Sequence, residues 1–551
     1  MKNKIKLLAI FLATTTAVLA DNEVFDGLTI SGKDILGGTY KNSSWIGTTI
    51  EKSTFTGTNF NESNFSTAKI RESNFEYVDI SNSIFDEVEF NKVNFTGSTA
   101  KNTSFKKAKI GYKSLSFKSG TFDSADFSEA VLSKSGLPSE ESAWSASFEN
   151  SSLVDVNFSK AKLITCFSTT TSGWKKWITS SVDFSGADLT GANFSDTILV
   201  TSYTTTKGVY VKFSGATLRS VNFTNATLGV DAFGLNLAGY DLSGSNFTNA
   251  LLNRVYFKNS VITNVNFSNA RKLTISQLSE TKNYNNKNLS GIKFNGLDLI
   301  DWNLYGQNLQ NTSFAGANLT GVNARHADLR GSDLTGITGS LKTQNTIWTD
   351  GEIKNFAMES VDDSLTIRAY VPATSGGAMI NAKIVDDASI SGGAVLTLEQ
   401  GAVLEIASGK TLSVLDDSEI IFNVDAAASD ATKILLGENS KLAFGSDSKI
   451  TINLDGVASS DDSYTFSVIE SAAGAQVTGT DSLKKENVIL NVNGETFDSS
   501  KWTLDFDSST GSFNINVNVP EPAEYAAILG AIAIAFGMLQ HARRGGGCRP
   551  Q

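Results

Sequence analysis

A chain of 551 residues is long enough to bury a substantial core, and a formal net charge of −11 argues against a general nucleic-acid backbone binder, which wants a basic face. Two cysteines, Cys166 and Cys548, exclude a disulfide framework, and two histidines leave little for a His-rich metal centre. Ser, Thr, Asn, Asp and Gly fill the spaces between apolar positions, which suits turns and strands more than helices.

At the start, Lys2, Lys4 and Lys6 precede an apolar run from Leu7 to Leu19, and small Ala20 ends it. That is the pattern of a secretory signal peptide over 1–20, cut by signal peptidase after Ala20. A run of about 13 moderately apolar residues is too short to span a bilayer.

From Phe25 a large apolar residue stands at every fifth position, as in Phe55, Phe60, Phe65, Ile70 and Phe75, and only Ala100 breaks the series before Leu115. Five is the period of neither a helix nor a strand. The position two before each is small (Ser53, Thr58, Ser63, Ala68), and the one just before is mostly polar (Asn59, Asn64, Asn74). Each unit therefore has one large and one small inner residue, and buries them only by stacking on the next, as in a solenoid.

The beat runs on to Leu334 with interruptions at about 133–147, 164–183, 200–212 and 268–288. With Phe233 counted as a unit, the runs between interruptions are whole multiples of four. All four insertions are therefore expected to leave one corner and stack as a ridge. In the last of them Thr274 and Gln277 form a capping box for one short helix.

The stretches "FSGADLTGANF" (Phe184 to Phe194) and "FAGANLTGVNARHADLRGSDL" (Phe314 to Leu334) resemble the pentapeptide-repeat family, whose unit is Ala-(Asp/Asn)-Leu-x-x. The resemblance implies a right-handed quadrilateral β-helix over 21–336 with four pentapeptides per coil. Phe55, Phe60, Phe65, Phe75, Phe184, Leu189, Phe194, Phe314, Leu319 and Leu329 would then stack inside as the structural core. At one strand spacing per coil, the repeats would build a rod on the order of 60 Å.

A second period of eight follows: "GAVLTLEQ", "GAVLEIAS", "GKTLSVLD" from Gly393. Inner residues alternate as in a strand and a Gly-containing turn follows. A second β-solenoid is expected over 337–463, with a β-sandwich as the alternative, and β-hairpins over 464–518 capping its end. The chain is thus all-β, with helix only in the signal peptide, one insertion and the C-terminal apolar segment.

The tail 519–551 carries Val519, Pro520, Glu521 and Pro522, then an apolar run from Ala526 to Leu539, then Arg543 and Arg544. This resembles the PEP-CTERM sorting signal of Gram-negative bacteria. The resemblance implies transient membrane insertion, recognition and cleavage by an exosortase, and release to the cell surface or extracellular matrix.

Catalytic chemistry is hard to find. His326 in "ARHADLR" follows an inner position by two residues and reads as a surface residue. Asp362–Asp363 and Asp386–Asp387 read as turns. No catalytic, metal or cofactor residue is expected. Trp174 and Trp177 in "GWKKW" could contact a sugar face or pack on the coils. The sequence favours a secreted, non-catalytic structural or adhesive protein whose partners are exopolysaccharide or surface glycans. The alternatives are an acidic DNA mimic that binds a topoisomerase, for which the export signals place the chain in the wrong compartment, and a carbohydrate-active enzyme working with carboxylates.

Overall fold

The computed structural model describes residues 21–518 apart from 112–113, 136–142, 172–173, 203–207, 416, 427–431, 458–462, 480–484, 498–501 and 508–511. The expectations for 1–20 and for 519–551 lie outside the described residues. The chain divides into two compact units. The first runs to Ile300 and takes in Thr312–Leu319 and Leu334–Gly339; the second holds Asp301–Asn311, Thr320–Asp333 and the chain from Ser340 on.

Five residues write one side of a coil in the first unit. In Asn157-Phe158-Ser159-Lys160-Ala161 the ring of Phe158 turns inward and is fully buried. Asn157 Oδ1 accepts from Ser159 N at 3.0 Å, and Ala161 N donates to Phe158 O at 3.0 Å, closing a corner. Lys160 sits at that corner with φ of 58°, the left-handed region a tight turn demands and a reason Asn, Asp and Gly recur at this position. Only a small side chain fits next, and Ala161 is buried.

Four such sides make a coil. Parallel bridges join residues twenty apart: Ser44 to Asn64, Asn64 to Ile84, Ile84 to Ser104. The interior is a set of stacked rings. One column runs without a gap through Phe25, Trp45, Phe65, Phe85, Phe105, Phe127, Phe158, Phe194, Phe223, Phe247, Phe267, Phe294 and Phe314. Phe105 and Phe127 are its most nearly parallel pair, with centroids 4.5 Å apart and planes within 1°. A second column runs Phe55, Phe75, Phe95, Phe117, Phe148, Phe184, Phe213 and meets the first edge-on, as quadrupoles prefer. Full burial of each ring stabilises the fold by about 1.5–3 kcal/mol before chain entropy is counted. Phe117 falls outside the fivefold spacing, because the coil containing it holds extra residues before it.

Three β-hairpins interrupt these coils: Ser133–Ser135 with Ala143–Ser147, Ile164–Thr171 with Trp174–Ser181, and Val200–Ser202 with Gly208–Tyr210. Each leaves after the same inner column (Leu132, Leu163, Leu199) and is closed at its base by the same backbone bond. Ala146 N donates to Leu132 O, Val182 N to Leu163 O and Val211 N to Leu199 O, at 2.8, 3.0 and 3.0 Å. Leu235 N to Leu228 O, 2.8 Å, repeats that closure around a shorter excursion containing Phe233. Phe233 is therefore no repeat unit, a correction to the count; it is only half-buried because the chain has left the coil there. Ser133 Oγ reaches Ser180 O at 3.1 Å and ties the first two hairpins together. The last insertion departs after Arg271, in that same column, and holds two short helices rather than one, Ile275–Ser279 and Lys282–Asn285. Its Thr274–Gln277 capping box is formed. Leu278 is buried among the coils.

The second unit contains three parallel sheets. Strands of equal rank recur on each: Val395–Leu398, Val403–Ile406 and Thr411–Val414 make one turn, and Glu419–Asp425 begins the next. Leu396 pairs with Ile420, twenty-four residues on, so the eight-residue beat is one side of a three-sided coil. Leu396, Leu404, Leu412 and Ile420 are fully buried. The coil continues beyond 463, where hairpins were expected to take over. Ser463–Ser471, Gln476–Thr478 and Val488–Val492 still extend the three sheets in parallel. The chain then turns back at Asn493-Gly494, with φ of 49° and 85°, into Glu495–Thr496, a hairpin turn of the kind Asn-Gly favours. Trp502–Asp507 and Ser512–Asn518 pair antiparallel, and the latter covers Ser463–Ser471. No helix among the described residues is long and apolar enough to cross a membrane.

Candidate functional site

The outward residues of the first unit form hydrogen-bonded ladders. Asn157 Nδ2 donates to Asp126 Oδ1, Asn193 Nδ2 to Asn157 Oδ1 and Asn222 Nδ2 to Asn193 Oδ1, each at 3.0 Å. Asn246 Nδ2 then reaches Thr224 Oγ1 at 3.0 Å. A neighbouring row repeats the device: Asn225 to Asp196 at 2.9 Å and Asn249 to Asn225 at 3.0 Å. Each Asn in the first row immediately precedes a buried Phe. The dipeptide Asn-Phe therefore places an amide outside and a ring inside at every coil, and this was legible in the sequence as Asn157-Phe158, Asn193-Phe194, Asn222-Phe223 and Asn246-Phe247. The result is a face of amides and hydroxyls repeating at about one strand spacing, roughly 4.8 Å. Much of its hydrogen-bonding capacity is used internally, so each rung has little left for a partner. Binding by such a face depends on many weak contacts acting together.

Residues weighed for catalysis are committed to structure. His326 is a turn residue with φ of 58°, and its ring is buried against Tyr305, centroids 4.9 Å apart, rather than on the surface as expected. Its Nδ1 lies 2.8 Å from Ser364 O. A carbonyl only accepts, so Nδ1 carries the proton and Nε2 is the nitrogen that titrates. Burial holds the imidazole below its ordinary value, against the opposing pull of the Ser364 carbonyl and Asp363. Asp363 caps a turn, accepting from Glu359 N at 3.0 Å and Ser360 N at 3.1 Å. Asp387 accepts from Thr411 N at 2.8 Å, and Asp386 stands 3.8 Å from Lys410. Neither Asp pair presents two free carboxylates to one substrate atom. No group of three or more metal-ligating side chains is found among the described residues.

One polar cluster in the second unit had no sequence signal. Asp328 and Arg330 are buried two residues apart, Nε to Oδ1 at 3.0 Å and Nη2 to Oδ2 at 2.6 Å. Arg330 also donates to the carbonyls of Ile380 and Arg368, at 3.0 and 2.6 Å, and lies over the Tyr370 ring. Gln310 Nε2 donates to Asp328 Oδ2 at 2.8 Å and to Ala369 O at 3.1 Å. The cluster is saturated and clamps the segment around 368–380 onto the repeats of its own unit. It reads as a structural staple.

The Phe55, Phe60, Phe65, Phe75, Phe184, Leu189, Phe194, Phe314, Leu319 and Leu329 side chains all lie in the interior. Trp174 and Trp177 lie on one hairpin strand, in register with Thr171 and Ser168; their side chains, and the whole segment Val519 to Arg544, lie outside the described residues.

The model of the family described as Pentapeptide repeats matches in 8 copies, over 51–86, 73–110, 180–201, 241–271 and 298–336. The chain therefore carries pentapeptide repeats, and its parallel sheets with almost no helix make a β-solenoid. Among solved structures it is similar to HetL, a pentapeptide repeat protein involved in heterocyst differentiation regulation from the cyanobacterium Nostoc sp. strain PCC 7120. Identity there is 17%, covering 64% of this chain and 98% of that one, with a TM-score of 0.17. It is also similar to Rfr23, a pentapeptide repeat protein from the cyanobacterium Cyanothece 51142, at 22% identity over 30% of this chain and 90% of that one, TM-score 0.12. A third is QnrB1, a plasmid-mediated fluoroquinolone resistance protein, at 19% identity over 41% and 89% of the two chains, TM-score 0.14. Scores this low carry no function across. No curated protein matches.

Proposed function

We propose that this chain is a secreted, non-catalytic structural or adhesive protein of the cell surface or exopolysaccharide matrix. The observation that carries the reading is the outward ladder Asn157–Asn193–Asn222–Asn246, which offers the same amide and hydroxyl groups coil after coil. A repeating face is matched by a repeating ligand, and a polysaccharide is one whose hydroxyls pair with amides. The export-type segments at 1–20 and 519–551 support the same compartment, with signal peptidase and exosortase as processing partners and the membrane as a transient one. An acidic DNA mimic asks for a run of negative charge where this column carries amides.

Cell fractionation combined with intact-mass measurement tests the reading. The expected outcome is a surface or matrix protein that begins near Asp21 and ends near the Pro520-Glu521-Pro522 motif. A mature protein confined to the cytosol, with Gln551 still attached, overturns it.

A further inference from the structure

The backbone ladder of the first unit opens at more than one step, and one opening is lined as a cavity. In the column that bears the hairpins, Val131 bridges Lys162, and Ile198 bridges Thr227, but among the described residues no bridge joins Lys162 to Ile198. The steps on either side each make a reciprocal pair of bonds, Leu132 N to Lys162 O at 3.0 Å with Lys162 N to Ala130 O at 2.8 Å, and Leu199 N to Thr227 O with Thr227 N to Thr197 O, both at 2.9 Å. Here the N–H groups of Leu163 and Ile198, and the carbonyls of Ala161 and Ile198, have no backbone partner among the described residues. A cavity of about 350 Å³ occupies the gap, within the size range of small-ligand sites.

Its lining is chemically mixed. Thr165 lines the cavity and is 6% exposed, and its Oγ1 has no hydrogen-bond partner among the described residues. Lys160 and Lys162 flank the cavity with exposed side chains and form no ion pair among the described residues. Asp196 stands on the facing coil and Thr201 on the hairpin that leaves it, and Ile198 is 54% exposed beside them. A buried polar group without a partner is costly, so Thr165 Oγ1, with the four unpaired backbone groups beside it, favours an occupant that both donates and accepts.

We propose that this opening binds one acidic sugar unit of a uronic-acid polysaccharide. The two ammonium groups and two free N–H groups suit a carboxylate. The two carbonyls, Asp196 and Thr165 Oγ1 suit sugar hydroxyls, and Ile198 suits the C–H face of the ring. The assignment rests on the matrix reading above and names its ligand class.

Calorimetric titration of the full chain with oligogalacturonate, neutral dextran oligomers and poly-glutamate tests it. Oligogalacturonate is expected to bind, weakening as salt rises, while the other two do not. Loss of one charged hydrogen bond corresponds to about tenfold in affinity and of one neutral bond to about fivefold, so Lys162→Ala should weaken binding about tenfold and, independently, Thr165→Val about fivefold. Lys162→Ala should melt as the parent does and Thr165→Val, which removes a buried unpaired hydroxyl, no lower, while Lys258→Ala, on a different coil, should bind as the parent. No binding of oligogalacturonate, equal binding of dextran or poly-glutamate, or unchanged affinity in both cavity variants overturns the assignment. Those results leave the secreted reading standing, because that reading fails on localisation alone.

Discussion

Arg330 Nη2 lies 2.6 Å from Asp328 Oδ2, and both side chains are withdrawn from solvent. Two residues apart on one turn, they hold a two-bonded pair whose remaining donors reach the carbonyls of Ile380 and Arg368. Removing one partner strands the other charge in the interior, which costs about 3–5 kcal/mol. Arg330→Ala should therefore lower the unfolding midpoint of the second unit and open the chain near 368–380 to protease. The double change Asp328→Leu with Arg330→Met should recover much of the loss, since no charge is then left buried alone. Denaturant titration with limited proteolysis measures both.

His326 predicts a pH dependence. Its folded value is held down by burial, with the Ser364 carbonyl opposing, so the unfolded chain takes up the proton more readily. The stability it contributes is whole above the ordinary histidine value, about 6.5, and is lost as pH falls through the lowered folded value. Stability measured from pH 8 down to 5 should decline more steeply in the parent than in His326→Asn. Asparagine tolerates the positive φ and does not titrate here. Identical slopes would show that the imidazole does not report on folding.

Phe127 stacks on Phe105 and on Phe158 in the unbroken column. Phe127→Ala should cost about 3–5 kcal/mol, the range for removing a buried ring. Because each coil touches only its neighbours, the damage should be local. Hydrogen exchange should rise across 100–160 and stay unchanged near Phe247. Exchange that rises uniformly would mean the repeats unfold as one block.

Asn193 both donates to Asn157 and accepts from Asn222. Asn193→Ala should destabilise by about 1 kcal/mol per lost bond. Asn193→Asp keeps the acceptor but sets a carboxylate against Asn157 Oδ1, and should be the more harmful at neutral pH. Thermal melts at pH 7 and pH 3 distinguish the two, because protonating the introduced carboxylate restores a donor, whereas the alanine variant has nothing to protonate.

The coil was legible because its inner residues obey a strict spacing, and Phe55, Phe60 and Phe65 announce it without any long-range information. The eight-residue beat at Leu396, Leu404 and Leu412 was readable for the same reason. Phe233 misled the count because an aromatic residue beside the coil looks in sequence like one inside it. The Asp328–Arg330 clamp was hidden within "ARHADLRGSDL", where both residues occupy ordinary repeat positions. Their partners Arg368, Tyr370 and Ile380 belong to no repeat, so no spacing links them. The opening beside Lys162 was equally unreadable, since it consists of backbone bonds that are not made.

Leu132, Leu163, Leu199 and Leu228 each accept the same bond from the residue at which the chain returns. The excursions between those two points leave the ring columns Phe127–Phe158–Phe194 and Phe148–Phe184–Phe213 stacked, even where the ladder opens beside Lys162. This corner is therefore a docking port in the hereditary sense. Whole blocks of codons can be gained, lost or exchanged there without displacing a single ring of the column, so the chain can acquire new surfaces while its scaffold is inherited unchanged.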